Sequence, residues 1–230
     1  MNLSDRPQIG TEPASVEAMD QSLLLPPGSI QPLTPLPTGV AAQGVGLRRG
    51  SGWVLRQVTA NFPLGAVVAI SGPVGSGHTR AILGLCGRFA LDEGTVQVAG
   101  EGATIGWFAE LDMLDEELTV METTQECVSA LQGDPELIPA MLAWAELSRR
   151  TDTAVKDLLA EERVMLGLTW AALSEAPVIG IEASTVVHTH SPVWRAARSL
   201  AGQGRLVFVG TALSVVPAEI TLTIPWELPA

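Results

Sequence analysis

The stretch that decides the fold is GPVGSGHTR, residues 72–80, which has nearly the form of a phosphate-binding loop. In the form G-x-x-x-x-G-K-[ST], the glycines let the backbone wrap phosphate oxygens, the lysine reaches those oxygens, and the hydroxyl holds magnesium. Gly72, Gly77 and Thr79 fit this form, but His78 occupies the lysine position. The match therefore predicts a phosphate-binding loop whose chemistry has been altered at one position.

The segments around this loop predict an α/β fold. Residues 65–71, GAVVAIS, form an apolar run typical of a buried strand, and residues 78–89 are typical of a helix. Two strand-like runs precede this unit within residues 45–62. The remaining predicted strands lie at 94–100, 103–109, 176–182 and 205–210, and the predicted helical segments at 112–160, 161–175 and 191–203. Apolar strands that alternate with helices favour a mainly parallel sheet covered by helices on both faces.

Composition bounds the organisation of the chain. Its 230 residues suffice for one medium domain, or for one domain and a tail. Residues 1–39 hold seven of the 16 prolines and show no sustained period, so we expect an extended or disordered tail followed by a domain at 40–230. No apolar run approaches the roughly 18 residues that span a bilayer.

Charge and the remaining polar groups exclude some function classes. A formal net charge of −12 repels nucleic acid, so a general nucleic-acid binder is not expected. Cys86 and Cys127 match no metal spacing and are expected as buried thiols in a reducing cytoplasm. His188 and His190 have no third ligand near them in sequence, so exposed loop histidines are favoured over a metal site. The acids of residues 111–118 are expected on a solvated face.

Residues 45–213 resemble the nucleotide-binding domain of ATP-binding cassette (ABC) transporters, in the order and spacing of their segments. The similar segments are residues 53–79, 85–100, 105–110, 117–126, 153–185 and 205–213. The resemblance implies a P-loop NTPase-like fold: a mainly parallel sheet with helices on both faces, a small antiparallel β part and a helical subdomain at about 112–160.

The resemblance also implies a nucleotide site for ATP and Mg²⁺. Glu110 stands at the position of the family's magnesium-sensing glutamine, and Glu182 at that of its magnesium-binding aspartate. With Thr79, these are the residues implied for the metal. The residues implied for the nucleotide are Gly72, Gly75, Ser76, Gly77, His78, Thr79 and Arg80.

Several positions depart from the family pattern. Ala183 takes the place of the general base, and Ala212 that of the switch histidine. The signature segment, residues 158–162, reads LLAEE and lacks both glycines. His78 is shorter than lysine and mostly neutral at pH 7. The only lysine, Lys156, lies far along the chain, which leaves an inward turn of Arg80, about 100° further around the helix, as an alternative source of charge.

The residue that stacks on adenine is also altered. The chain has no tyrosine; Arg49 lies near the expected position, and Trp53 is the nearest ring. We expect Trp53 to be a core residue, because aromatic residues in strands usually are.

These features predict an ATP-binding subunit with impaired hydrolysis, serving as a non-catalytic or regulatory subunit of a membrane transport complex. An active ATPase subunit and a nucleotide-independent scaffold are the alternatives. The resemblance implies pairing with a second ABC-type domain, as a homodimer or heterodimer, and with a membrane-spanning permease. It also implies a cytoplasmic protein, peripheral at the inner face of the cell membrane.

Overall fold

The computed structural model of the protein describes residues 39–99, 115–174, 176–186 and 188–224, and the backbone of Trp107–Ala109. These residues belong to one compact unit, Leu36–Ala230. The predicted tail, apart from Gly39, and Glu110 lie outside the described residues.

A small antiparallel sheet is built from three strands, in the order β2-β1-β4. Strand β1 covers Gly39–Arg49, β2 covers Gly52–Pro63 and β4 covers Glu93–Val98. The pairing of β1 with β2 begins at the tight turn between Arg49 and Gly52. The predicted strand runs and the predicted antiparallel part are thus both found.

The second sheet has five strands, all parallel, in the order β5-β6-β7-β3-β8. The strands are β3 Val67–Ser71, β5 Trp107–Ala109, β6 Val178–Glu182, β7 Leu206–Thr211 and β8 Ile220–Thr223. The predicted parallel sheet is confirmed. The edge strand β8 was not predicted, because only four residues form it and it alternates between half-buried and exposed positions.

Alternate residues of the central strands enter two separate cores. In β3, Val67 and Ala69 pack in the core on the side of the larger helices, whereas Val68 and Ile70 pack with the antiparallel sheet. Phe62 and Phe208 join the two sheets edge to face, with ring centroids 5.4 Å apart. This double burial explains why β3 and β7 are apolar up to their last residues, Ser71 and Thr211.

The described residues form five α-helices, of which α1, α4 and α5 pack on the parallel sheet, whereas α2 and α3 pack against α4. Helix α1 contacts β6 and β7 as well as the antiparallel sheet, and α4 and α5 pack on the other face. Their bounds are α1 His78–Leu85, α2 Val120–Ala130, α3 Ile138–Trp144, α4 Ala160–Leu173 and α5 Pro192–Gly202. Among these residues, no helix has both the length and the apolar character needed to cross a membrane.

Helix starts follow the sequence signals. Thr119 and Glu122 form a reciprocal capping box at the start of α2. Asp134 accepts a hydrogen bond from the Glu136 N–H at 2.9 Å and begins a short 3₁₀ turn, Pro135–Leu137, that leads into α3. An aspartate cap followed by proline at the first position is a common helix start.

Helix α1 is shorter than the sequence predicted, because it ends at Leu85 rather than at residue 89. Gly87 adopts a φ of 70°, and the Arg88 N–H donates to the Leu83 carbonyl at 2.7 Å. This is the Schellman motif, in which a left-handed residue satisfies the last helical carbonyls and stops the helix. The same arrangement ends three other helices, with the left-handed residue at Gln132, Glu146 and Gly204.

Candidate functional site

The glycine loop joins β3 to α1 with a backbone that only glycine adopts readily. Gly77, the residue before α1, has a φ of 110°, and a Cβ there would lie 2.8 Å from Val54 Cγ2. The Ser76 N–H donates to the Pro73 carbonyl at 3.0 Å, which tightens the loop. No side chain caps α1, so its first N–H groups have no partner from within the helix or from a capping side chain. Such a loop and helix start form an anion-binding arrangement.

A pocket of about 490 Å³ opens over this loop. It brings together most of the nucleotide-site residues predicted from sequence, and it adds others. Its lining consists of Arg49, Gly75, Gly77, His78, Thr79, Arg80, Leu83, Phe89, Glu182 and Ser184.

Two predicted residues are not part of that lining. The Gly72 N–H donates to the Thr211 carbonyl at 3.0 Å, which ties the loop to β7. A Cβ on Gly72 would lie 2.8 Å from the Ser76 hydroxyl, so these two residues pack closely together. Gly72 and Ser76 therefore support the loop rather than line the pocket.

The two described residues predicted to bind magnesium lie side by side. The Thr79 hydroxyl donates to Glu182 Oε2 at 3.4 Å, and the Ser184 N–H donates to Glu182 Oε1 at 2.9 Å. A hydroxyl and a carboxylate are the hard oxygen ligands that Mg²⁺ takes when phosphate oxygens and water complete its shell. The donor set fits Mg²⁺ bound together with a phosphate ligand.

His78 lies beneath the loop. Only 2% of its surface is exposed, and its Nε2 lies 3.5 Å from the Ser76 hydroxyl. Burial lowers the pKa of His78 below its ordinary value of 6.5, although Glu182 and the backbone of Gly72 and Thr211 oppose that shift. The imidazole is therefore neutral at pH 7, as the sequence predicted, and it supplies none of the positive charge of a lysine.

The buried neutral His78 predicts a specific loss of stability in mild acid. In the unfolded chain His78 has its ordinary pKa of 6.5, whereas in the folded protein that pKa is lower. As pH drops below 6.5 the unfolded state therefore binds more protons, and the free energy of unfolding falls. The slope from one such group is at most about 1.4 kcal/mol per pH unit. Urea unfolding of the wild type and of His78→Gln at pH 7.5, 6.5 and 5.5 measures this effect.

In His78→Gln we expect the contribution of His78 to the pH dependence of the unfolding free energy to disappear. This holds whatever the change in absolute stability at pH 7.5. The exposed His188 and His190 are present in both proteins and cancel in the comparison. Equal slopes in the two proteins would contradict the assignment.

The positions of the expected base and switch residue carry only methyl groups. Ala183 is 2% exposed, and its N–H donates to the Gly210 carbonyl at 2.9 Å. Ala212 is exposed just after β7. Neither side chain can accept a proton.

The signature-like segment begins α4. Leu158 is buried, and Leu159 is 66% exposed. The Leu159 N–H donates to the Glu162 carboxylate at 2.9 Å, which caps the helix from within. Glu161 adds a second carboxylate to the first helical turn, so this helix start carries negative charge.

Arg80 takes a position that the sequence did not predict. Its guanidinium lies 4.5 Å from the centroid of the Phe89 ring and donates to the Arg48 carbonyl. The side chain thus lies along the pocket lining rather than turning under the loop. Phe89 was missed as a pocket residue, because it was assigned to helix α1, which ends before it.

The expectation that Trp53 is a core residue is wrong. Its ring is half-buried and belongs to neither core. The guanidinium carbons of Arg48 and Arg56 lie 4.2 and 5.7 Å from the ring centroid. Two guanidinium groups within cation–π distance of the ring are not the apolar neighbours of a core tryptophan. Arg49, at the end of the same hairpin, lines the pocket instead.

Among the described residues, the other candidate ligands do not form a metal site. Cys86 and Cys127 are buried and free, and burial raises the pKa of each thiol to about 12. Within the described part of the chain, no three His, Cys, Asp or Glu side chains converge on one point. Of the predicted acidic face, Glu116 pairs with Arg163, and Glu117 pairs with Lys156 at 2.7 Å.

Comparison with curated proteins finds relatives of low identity over most of the chain. Nod factor export ATP-binding protein I of Ralstonia nicotianae is 25% identical over 203 residues, which are 81% of this chain and 62% of the relative. The protein of the same name from Rhizobium leguminosarum bv. viciae is 26% identical over 204 residues, 81% of this chain and 63% of the relative. The chain thus spans less than two thirds of the length of these relatives. No protein-family model matches it.

Solved structures share the fold. One is an ATP-binding cassette of an ABC transporter in its ADP conformation, with a TM-score of 0.63 and 16% identity, over 81% of this chain and 87% of that one. Another is cbiO1 from Clostridium perfringens, part of the ABC transporter complex cbiONQ, with a TM-score of 0.62 and 13% identity, over 82% and 85% of the two chains. At such identities the likeness concerns the fold.

Proposed function

We propose that this chain, a member of the family of ABC nucleotide-binding domains, is an ATP-binding subunit of an ABC transport complex. We also propose that this subunit hydrolyses ATP poorly. In this proposal residues 40–230 are the nucleotide-binding domain, with a helical subdomain at about 112–160. The phosphates lie against the N–H groups of the loop and of the α1 start. Thr79 and Glu182 hold Mg²⁺, which supplies charge neutralisation at the phosphates.

The proposal that this chain hydrolyses ATP poorly depends mainly on one observation. Beside Glu182, where this family has its proton acceptor, the chain places the buried methyl group of Ala183. A positioned general base commonly contributes 10²–10⁴ in rate, and no other described carboxylate lines the pocket beside Glu182. The neutral His78 removes a second contribution, since a lysine there stabilises charge that develops on the transferring phosphate. Nucleotide binding depends on the loop backbone and is affected less.

The setting is a membrane transport complex. The relatives are named as ATP-binding proteins of an export system, which supports a membrane-spanning permease as partner. A second ABC-type domain, identical to this one or different, would complete the site with the groups this chain lacks. The complex would place the domain at the inner face of the cell membrane, with no role for nucleic acid.

Thr79→Val is the variant that tests this proposal. It removes the hydroxyl that faces Glu182 and keeps the shape of the side chain. We expect calorimetric titration with ATP to show Mg²⁺-dependent binding to the wild type, weakened about tenfold in Thr79→Val, because one polar contact to the charged ligand complex is lost. Phosphate release by the purified wild type should not exceed that of Thr79→Val.

Thr95→Val is the matched control, because Thr95 is exposed on β4 and does not line the pocket. Its ATP affinity should equal that of the wild type. Turnover by the pure chain that vanishes in Thr79→Val would instead establish an active ATPase. An absence of ATP binding, persisting in His78→Lys, would leave the nucleotide-independent scaffold.

A further inference from the structure

Four arginines of β1, β2 and α1 form no ion pair with an acidic side chain among the described residues. They are Arg48, Arg49, Arg56 and Arg80. By contrast, Arg150, Arg163 and Arg195 each form an ion pair with a glutamate. The Asp92 carboxylate does accept the backbone N–H of Arg48 at 2.7 Å, but an arginine without an ion-pair partner keeps its charge available to an anionic ligand.

Two of these four line the pocket itself, Arg49 at the end of β1 and Arg80 in the first turn of α1. Glu182 is the only carboxylate among the described lining residues, and it faces Thr79, where Mg²⁺ fits. His78 is neutral. Arg49 and Arg80 are therefore the sole permanent positive charges of the described lining.

Arg80 is held in place before any ligand arrives. Its guanidinium rests over the Phe89 ring and donates to the Arg48 carbonyl, contacts that leave other N–H groups of the fork unused. A side chain ordered in this way loses less rotamer freedom when it binds an anion. The Arg80 side chain lines the pocket together with Thr79, whereas the His78 imidazole is buried against Ser76.

We infer that Arg49 and Arg80 bind the polyphosphate of a nucleoside triphosphate from the mouth of the pocket, and so replace the charge that the loop has lost at residue 78. This inference rests on the proposed function. Guanidinium suits the task, because it stays charged and offers a planar fork that matches two phosphate oxygens. The positive charge that a lysine at residue 78 would supply then comes from two other residues of the pocket lining.

The experiment compares Arg49→Gln and Arg80→Gln with Arg149→Gln. Arg149 is exposed, forms no ion pair among the described residues and does not line this pocket, so its substitution matches the charge change alone. Calorimetry with Mg²⁺-ATP, and separately with Mg²⁺ and inorganic triphosphate, gives the affinities. We expect each pocket variant to lose about tenfold or more toward both ligands, and Arg149→Gln to stay within twofold of the wild type.

A further arm replaces Arg49 by lysine, which keeps the charge and should retain most of the affinity that Arg49→Gln loses. Wild-type ATP binding with both glutamine variants indistinguishable from Arg149→Gln would overturn the inference and leave the proposed function standing. Weaker ATP binding with unchanged triphosphate binding would place the arginines at the base or ribose, and would also overturn it. A wild type that binds neither ligand would overturn both proposals.

Discussion

Trp194→Ala is expected to lower the free energy of unfolding by about 3–5 kcal/mol, the usual loss when a fully buried aromatic residue is truncated. Trp194 is 1% exposed and packs in the core between the parallel sheet and the larger helices. It lies in the first turn of α5, whose start is fixed by Ser191, because the Ser191 hydroxyl accepts the Val193 N–H at 3.1 Å. The start of the helix is thus fixed, so we expect most of the cavity to stay open. Urea unfolding followed by far-ultraviolet circular dichroism measures the loss.

Trp53→Ala is the control for this prediction, since it removes the same side chain from a half-buried position outside both cores. We expect a loss of about 1 kcal/mol, which corresponds to contacts with two arginines at an accessible site. Equal losses for the two substitutions would mean that the core containing Trp194 contributes no more than a surface contact.

The second large effect is expected on ligand binding, in Gly77→Ala. A φ of 110° strains any residue with a Cβ, and this Cβ would lie 2.8 Å from Val54 Cγ2. The backbone should rotate to relieve the strain, which turns N–H groups of the loop away from the phosphates. Loss of two hydrogen bonds to a charged ligand weakens ATP binding on the order of a hundredfold. The strain itself lowers the free energy of unfolding by about 1–3 kcal/mol.

Gly202→Ala serves as the comparison, because Gly202 ends α5 and a Cβ there meets nothing within 4 Å. ATP affinity should not change in that variant, and its stability should stay equal or rise, since alanine favours a helix over glycine. Both glycine variants are to be titrated at a temperature at which circular dichroism shows them folded. ATP binding by folded Gly77→Ala within threefold of the wild type would refute the assignment of the loop.

The sequence predicted the order of the central elements well, because buried parallel strands can be recognised as short, mainly apolar runs. Val67–Ser71 and Leu206–Thr211 are such runs. The end of α1 was predicted wrongly, since helical residues continue past Leu85 and only the left-handed turn at Gly87 stops the helix. That turn depends on a backbone conformation that a periodicity argument does not contain.

The site was predictable where chemistry follows from residue type, and less so where it follows from packing. The neutrality of His78 follows from its ordinary pKa, but its burial beneath the loop depends on contacts with β7 and Ser76. Trp53 was misplaced because alternation along β2 does not tell which face meets a core; the pairing of β2 with β1 decides that. Phe89 reaches the pocket only through the turn that follows α1.

The central strands link the packing of the two cores to the residues of the pocket. Strands β3, β6 and β7 send alternate side chains to opposite sides, and the ends of the same strands carry the glycine loop, Glu182 and the Thr211 carbonyl that holds Gly72. Neither side of the sheet can therefore loosen without releasing the strand ends. A ligand that binds the loop should therefore raise the melting temperature of the whole domain, including helices that the ligand does not contact.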